Sequence, residues 1–554
     1  MDRRFFLALL LTGVVLVVTP LVFPPAPRPV VTAPVLAPAQ TVVPSSGAAT
    51  RTDAGARPAV PRGTTISAMR GAATPARETI DTIHVTGAGA AFVFSTLGAA
   101  PVYAELPAYR SLGATAGTVV LRGGTEPLLQ YSVLTERDTI HLDQAVFRYA
   151  RRDVGDETTL AFTNTDSAGS TTITYRLQAS ARLTRVEVEV PRATGRAYLL
   201  LGLPRGFVSN EADTLDDIRH LSYSAKPVVR GANGVTFSSL DPGEKKLIAG
   251  PISWAVAKSK YFIVGVLSPN DSTPFSEMQV VGGPRESKLA THAAANVIVP
   301  LVNGRAVFDV YAGPQSWERM RALGREFETA NPYGGFMQPV VQPFATIVMR
   351  LILWLKRVVQ LDYGWMLVIF GFSIRVLLWP LNQSAMRSSI RLQRIQPELM
   401  QVQERYKSDK TKQQQEVMRV YQEHGMSPFS ALSGCLPALI PMPVFFALFF
   451  VFQNTIEFRG VPFMWLADIS LKDPLYILPV VTGASMFLLS WIGMRNMPKN
   501  PQATMMLYLM PGMFTMFLLS TASGLSIYYL VQQIAAIPQQ WMIANERRKT
   551  QNAK

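Results

Sequence analysis

Apolar residues along this chain follow three patterns, each with its own period. Long apolar runs occupy 5–23, 365–381, 436–452, 475–492, 505–519 and 525–542. Each is long enough, or nearly so, to cross a hydrocarbon core of roughly 30 Å as a helix, which predicts six membrane spans. From 78 to about 312 the period is two instead. Ile173, Tyr175 and Leu177 alternate with Thr172, Thr174 and Arg176, and Val186, Val188 and Val190 with Arg185, Glu187 and Glu189. With Gly, Pro, Asn and Asp between the runs, this predicts a β-sandwich domain over 78–330, closed by a short amphipathic helix at 317–328. The third pattern covers 342–360, where Phe344, Ile347, Val348, Leu351, Ile352, Leu355 and Val359 recur at helical spacing around Arg350, Lys356 and Arg357. It predicts an amphipathic helix lying in the outer membrane interface, with a helix packed on the β domain as the second reading.

Composition separates the remaining segments. Residues 24–77 are rich in Pro, Ala, Thr and Ser and poor in aromatics, so they are expected to form a disordered linker. Arg3 and Arg4 before the 5–23 run give the shape of a signal anchor with a cytoplasmic N-terminus, a cleaved signal peptide being the alternative. Residues 382–427 are polar, with Ile390, Ile395, Leu399, Val402, Tyr406, Val417, Val420 and Tyr421 at helix-like intervals and a charged break at 407–412, which predicts a two-helix hairpin.

The formal charge of +15 invites a nucleic-acid reading, but its placement argues for membrane orientation. Arg387, Arg391, Arg394, Arg405, Lys407, Lys410 and Lys412 crowd the hairpin, and Arg547, Arg548 and Lys549 crowd the short tail at 546–554. The Lys and Arg excess places hairpin and tail in the cytoplasm and the β domain outside. Sequence-specific nucleic-acid binding is not expected. The single cysteine, Cys435, excludes a disulfide framework or a CxxC site.

One residue in the apolar runs is costly. Arg375 lies more than two turns inside its run, where an arginine costs roughly 2.5–3.5 kcal/mol on translocon scales unless it meets water or a partner. No Asp or Glu occurs in the five C-terminal runs, so a sealed ion pair or a proton relay is not expected. The polar neighbours Ser485, Ser490, Thr515, Ser526, Tyr529 and Gln532 point to a hydrated groove; for any single hydroxyl, helix packing is the simpler reading. A snorkelling arginine is the alternative for Arg375. The sequence has no G-x-S-x-G, H-E-x-x-H or P-loop motif, its five histidines lack ligand spacing, and no cofactor, metal or enzyme activity is implied. A six-span transporter for an anionic solute would also use such an arginine, although no internal repeat supports it. A sugar-modifying enzyme in the β domain lacks a placeable carboxylate pair.

Several ordered motifs resemble the YidC/Oxa/Alb insertase family in its diderm-bacterial form. They are Tyr363-Gly364-Trp365 through Arg375 to Pro380-Leu381, Gly434-Cys435-Leu436-Pro437 with Met442-Pro443-Val444-Phe445, Asp473-Pro474 with Tyr476 to Pro479, and Ser523-Gly524-Leu525 with Tyr528-Tyr529. The resemblance implies a periplasmic super-sandwich and a five-helix core over 361–545, with spans at 363–381, 434–453, 475–492, 505–520 and 524–543. It implies a hydrophilic groove holding Arg375 and Tyr529, with Tyr528 and Gln532 beside them. Pro437, Met442, Phe445, Met510 and Phe514 would form the apolar slide for a client helix. Nascent membrane proteins would be the clients, the Sec translocon a partner, and the ribosome a contact of the hairpin. Pro441 and Thr521-Ala522 depart from the family pattern.

Overall fold

The computed structural model describes residues 80–380, 398–424, 442–494 and 501–552, apart from breaks at 88, 167–168, 194, 286–288, 335–337 and 378, together with residue 395. The expected anchor at 5–23, the linker at 24–77, Pro437 and Pro441 lie outside the described residues.

Residues 82–314 form antiparallel sheets. Strands β1 (Thr82–Thr86), β2 (Ala91–Ser95), β3 (Ala100–Arg110) and β4 (Thr118–Arg122) make a four-stranded sheet in that order. A larger sheet of fourteen strands has at its centre β14 (Lys245–Lys258), β15 (Phe262–Leu267) and β18 (Arg305–Pro314). The period-two segments become β9 (Gly169–Gln178) and β10 (Thr184–Glu189), paired antiparallel. In β9, Thr171, Ile173, Tyr175 and Leu177 point into the core, as alternation on a pleated strand requires.

Strand β15 is buried at every position, so both of its faces need cover. Val264 and Val266 enter the main core, while Ile263 and Leu267 join a second cluster with Trp254, Tyr311, Met320 and Phe327. The segment expected as one helix over 317–328 is in fact two pieces, α2 (Trp317–Ala322), after α1 (Thr214–Arg219), and a 3-10 turn at Phe327–Ala330. Gly324, Arg325 and Glu326 have φ of 75°, 56° and 51°, and this left-handed run ends the helix. The break returns Phe327 to the sheet, edge-on to Trp254 at 5.6 Å and to Tyr311 at 5.5 Å. Trp254 Nε1 donates to the Arg325 carbonyl at 3.1 Å, which holds the turn in place.

The C-terminal region is helical. It comprises α3 (Gln338–Val359), α4 (Tyr363–Leu377), α6 (Met442–Asn454), α7 (Ile477–Met494), α8 (Pro501–Leu518) and α9 (Ser523–Asn552). Helices α3 and α7 are long and apolar enough to cross a membrane by length and composition, and Tyr363–Leu377, Val444–Asn454 and Leu507–Leu518 are shorter apolar helices. Helix α3 starts earlier than the expected 342, and it buries Ala345, Val348, Met349 and Ile352 in a cluster with Ala447, Leu448 and Val451 of α6. Its neighbours are therefore the other apolar helices together with Trp317 of α2, and its opposite face is exposed.

The segment 398–424 falls outside the compact unit that holds the β domain and the apolar helices: residues 398–405 are helical, a turn covers 406–408, and α5 (Lys410–Glu423) follows. Asp409 caps α5 by accepting from the Thr411 and Lys412 amides at 3.1 Å each. Gln413 Nε2 donates to the Gln403 carbonyl at 2.7 Å, joining the two arms. The hairpin break falls at 406–409, so Lys410 and Lys412 are already helical.

Candidate functional site

Helices α4 and α9 run in the same direction, and polar side chains join them along one seam. Near the start of the seam, a Cβ placed on Gly524 of α9 would lie 3.4 Å from Leu367 Cδ1 of α4. Further along, a Cβ on Gly371 would lie 3.2 Å from Val531 Cγ1, so glycine lets the two backbones approach closely. Gln532 Nε2 donates to the Gly371 carbonyl there at 2.7 Å. One turn later in α4 and two turns later in α9, an Arg375 terminal guanidinium nitrogen donates to Gln539 Oε1 at 2.7 Å.

Arg375 is half-buried and has no carboxylate partner among the described residues. Its Nε is buried without a hydrogen-bond partner. A guanidinium carries five N–H donors, and one neutral amide oxygen does not satisfy them. The site can therefore attract a carboxylate or several polar groups, and it has no acid with which to pass a proton.

The expected groove residues divide into groups. Arg375, Tyr528 and Gln532 come together on the α4–α9 seam, where the Tyr528 ring lies 5.8 Å from Phe370. Tyr529 turns toward the client-slide set instead: its ring centroid is 5.5 Å from Phe445 of α6 and 5.1 Å from Phe514 of α8. Phe517 joins Phe445 at 5.8 Å and Phe449 at 5.6 Å. The residues expected as groove wall and client slide thus share one aromatic cluster, continuous with the seam through Tyr528 and Tyr529 at 5.2 Å.

Ser485 is half-buried and donates to the Val481 carbonyl of its own helix at 2.8 Å, and Thr515 donates to the Pro511 carbonyl at 2.8 Å. Thr515 also packs where a Cβ on Gly483 would come within 1.9 Å of its Oγ1, so it serves the α7–α8 contact. Ser526 is buried, and its Oγ has no partner. Met510 is exposed on α8; the side chain of Met442 is outside the described residues, as are Arg387, Arg391 and Arg394. Arg405, Lys407, Lys410 and Lys412 are exposed around the hairpin turn. The turn containing Ala522 is tied to the preceding loop by the Ser523 amide to the Leu471 carbonyl at 2.7 Å and the Gly524 amide to the Ile469 carbonyl at 2.8 Å.

Sequence reasoning missed Gln539. Its signal was the spacing of seven between the pairs Gln532-Gln533 and Gln539-Gln540, which puts Gln532 and Gln539 on one face of the helix. It also missed the junction between the β domain and the loop at 455–473. There Arg459 Nε donates to both Glu211 carboxylate oxygens at 2.9 Å, and Ser316 Oγ donates to Glu457 Oε1 at 2.9 Å. These residues lie in loops with no periodicity to mark them.

Among solved structures, one described as an active YidC insertase with the first transmembrane domain resolved is similar at a TM-score of 0.34 and 18% identity, covering 83% of this chain and 92% of that one. A membrane protein insertase YidC from Anaeromyxobacter sp. (strain Fw109-5) is 33% identical over 321 residues, 57% of this chain and 56% of the relative. Another from Geobacter sp. (strain M21) is 28% identical over 468 residues, 81% and 83% of the two chains. The match to the first relative thus spans little more than half of its length. Two family models match in tandem, one described as the YidC periplasmic domain at residues 82–347 and one as the 60Kd inner membrane protein at residues 354–551. This chain belongs to the YidC family, an inner membrane protein with a periplasmic domain.

Proposed function

We propose that the protein is a membrane protein insertase and chaperone of the inner membrane, with nascent membrane proteins as its clients. The observation that carries this reading is Arg375, a half-buried guanidinium in an apolar helix, held by one neutral amide and without a carboxylate partner among the described residues. It draws an acidic or polar segment of a client into the seam, and the client's apolar helix passes along the aromatic cluster of Phe445, Phe514 and Tyr529. Transfer of that helix into lipid supplies the driving force, at roughly 25 cal/mol per Å² of apolar area. No nucleotide or cofactor is needed.

The same reading takes 5–23 as a first span and α4, α6, α7, α8 and α9 as a five-helix core, with both termini and the 382–427 hairpin in the cytoplasm. The shared direction of α4 and α9 supports it, because the second and sixth spans of such a topology both run inward. The β domain is read as a super-sandwich in the periplasm, a surface for the Sec translocon, and the exposed lysines of the hairpin as a contact for the ribosome.

The test is reconstitution in liposomes with a small client that bears a short acidic N-terminal tail. Insertion above protein-free liposomes is expected, with a loss in Arg375→Ala. Uptake of a small anion without client insertion would replace this reading with that of a transporter.

A further inference from the structure

Two guanidiniums from different elements converge on one indole at the edge of the β domain. Trp317 begins α2, and its ring centroid lies 4.9 Å from the Arg321 guanidinium and 5.9 Å from that of Arg350 on α3. Both arginines are exposed, and neither has a hydrogen-bond or ion-pair partner among the described residues. The neighbouring Glu318 is engaged by Arg357, so one carboxylate stands against three guanidiniums. Arg321 and Arg350 therefore lie no farther apart than the sum of those two distances, and an anion between them relieves their repulsion.

Apart from Arg350 and Arg357, the exposed face of α3 is apolar. Ile347, Trp354 and Val358 are 61%, 56% and 61% exposed, and Phe344 continues the same line. An exposed stripe of this length is unstable in water, and acyl chains would cover it. With the stripe in the acyl region, Arg350 sits where a long cationic side chain extends toward the headgroups.

We propose that Arg321 and Arg350, both set against the Trp317 ring, form a binding site for the phosphate of an anionic lipid headgroup in the outer leaflet. The guanidinium forks match phosphate oxygens in geometry and charge, and the α3 stripe holds the acyl chains of the same lipid. Bound there, the lipid would fix α3 and the α2 edge of the β domain at one depth. The proposal rests on the membrane-embedded reading given above.

The test uses the full chain in phosphatidylcholine nanodiscs with a minor fraction of phosphatidylglycerol, and counts retained lipids by native mass spectrometry. Wild type is expected to retain phosphatidylglycerol over phosphatidylcholine. The double variant Arg321→Gln, Arg350→Gln should lose phosphatidylglycerol retention on the order of tenfold, as for a lost charge-assisted contact, and the double lysine variant should fall between. Equal retention of the two lipids by wild type would overturn the site without recourse to any variant. So would equal phosphatidylglycerol retention in wild type and the glutamine variant, or its full displacement by inorganic phosphate, which would mark a plain anion site. If the protein failed to enter discs at all, the membrane-embedded reading would fall first.

Discussion

Arg459, in the loop between α6 and α7, engages both carboxylate oxygens of Glu211 in the β domain at 2.9 Å, and both side chains are almost wholly buried. The same guanidinium donates to the Arg110 carbonyl at 2.8 Å and the Asn210 carbonyl at 3.0 Å, and it lies 5.2 Å from the Phe262 ring. One side chain thus places these hydrogen bonds within the β domain and anchors the helical region to it.

Removing one partner of this pair leaves a buried charge uncompensated, so Glu211→Ala or Arg459→Ala is expected to destabilise the junction by roughly 3–5 kcal/mol. Limited proteolysis of the detergent-solubilised protein should then cut the 455–473 loop that resists in wild type. Arg459→Lys should restore little, because the single ammonium nitrogen of a lysine cannot reach the carboxylate and both backbone carbonyls together. Unchanged protease resistance in both alanine variants would show that the pair does not hold the junction.

Glu457 gives the same junction a pH dependence. Its Oε1 accepts from Ser316, while its Oε2 is buried without a partner. Burial pushes its carboxyl above the ordinary range; the Ser316 hydrogen bond and the Arg319 guanidinium pull it down, and Glu318 adds to the rise. An acid with a raised folded pKa favours the folded state below its unfolded pKa and loses that contribution as pH rises through the folded value. Glu457→Gln should therefore raise the melting temperature at neutral pH relative to wild type and leave it nearly unchanged in mild acid. Melting curves that shift in parallel across the pH range would reject this role.

Gln539 is expected to position Arg375. Gln539→Leu removes a hydrogen bond to a charged group, worth roughly 1.5–3 kcal/mol in a buried setting. Insertion of clients with acidic tails should fall, though less than in Arg375→Ala, while clients with neutral tails change little. Arg375→Lys should be milder than Arg375→Ala, since attraction needs positive charge more than a fork. If Gln539→Leu and wild type inserted every client equally, the amide would have no part in orienting the guanidinium.

The α4–α9 seam depends on Gly371. A Cβ there would meet Val531 at 3.2 Å and Tyr528 at 3.5 Å, so the branched side chain of Gly371→Val must force the helices apart. Overpacking of this kind costs roughly 1–3 kcal/mol. Thermal unfolding in detergent should occur earlier, and the Gly371–Gln532 and Arg375–Gln539 bonds should weaken together, reducing insertion. A variant with wild-type melting and activity would mean the seam tolerates a wider spacing.

The sequence by itself determined the kinds of element and the chemistry carried on them. Period-two alternation marked β9 and β10, apolar runs marked the helices, and Arg375 stood out because its cost in an apolar helix is a local property. Local pattern also placed a helix at 317–328, but the left-handed turn at Gly324 split it, since the Arg325 carbonyl and Phe327 both answer to Trp254, about seventy residues earlier in the chain. Only the tertiary structure decided the partners: Gln539 for Arg375, Phe445 and Phe514 for Tyr529, Glu211 for Arg459. The physical reason is that such pairings depend on the angle and register at which separate elements pack. The Glu211–Arg459 contact spans 248 residues of chain, and no repeat period within either segment carries that information.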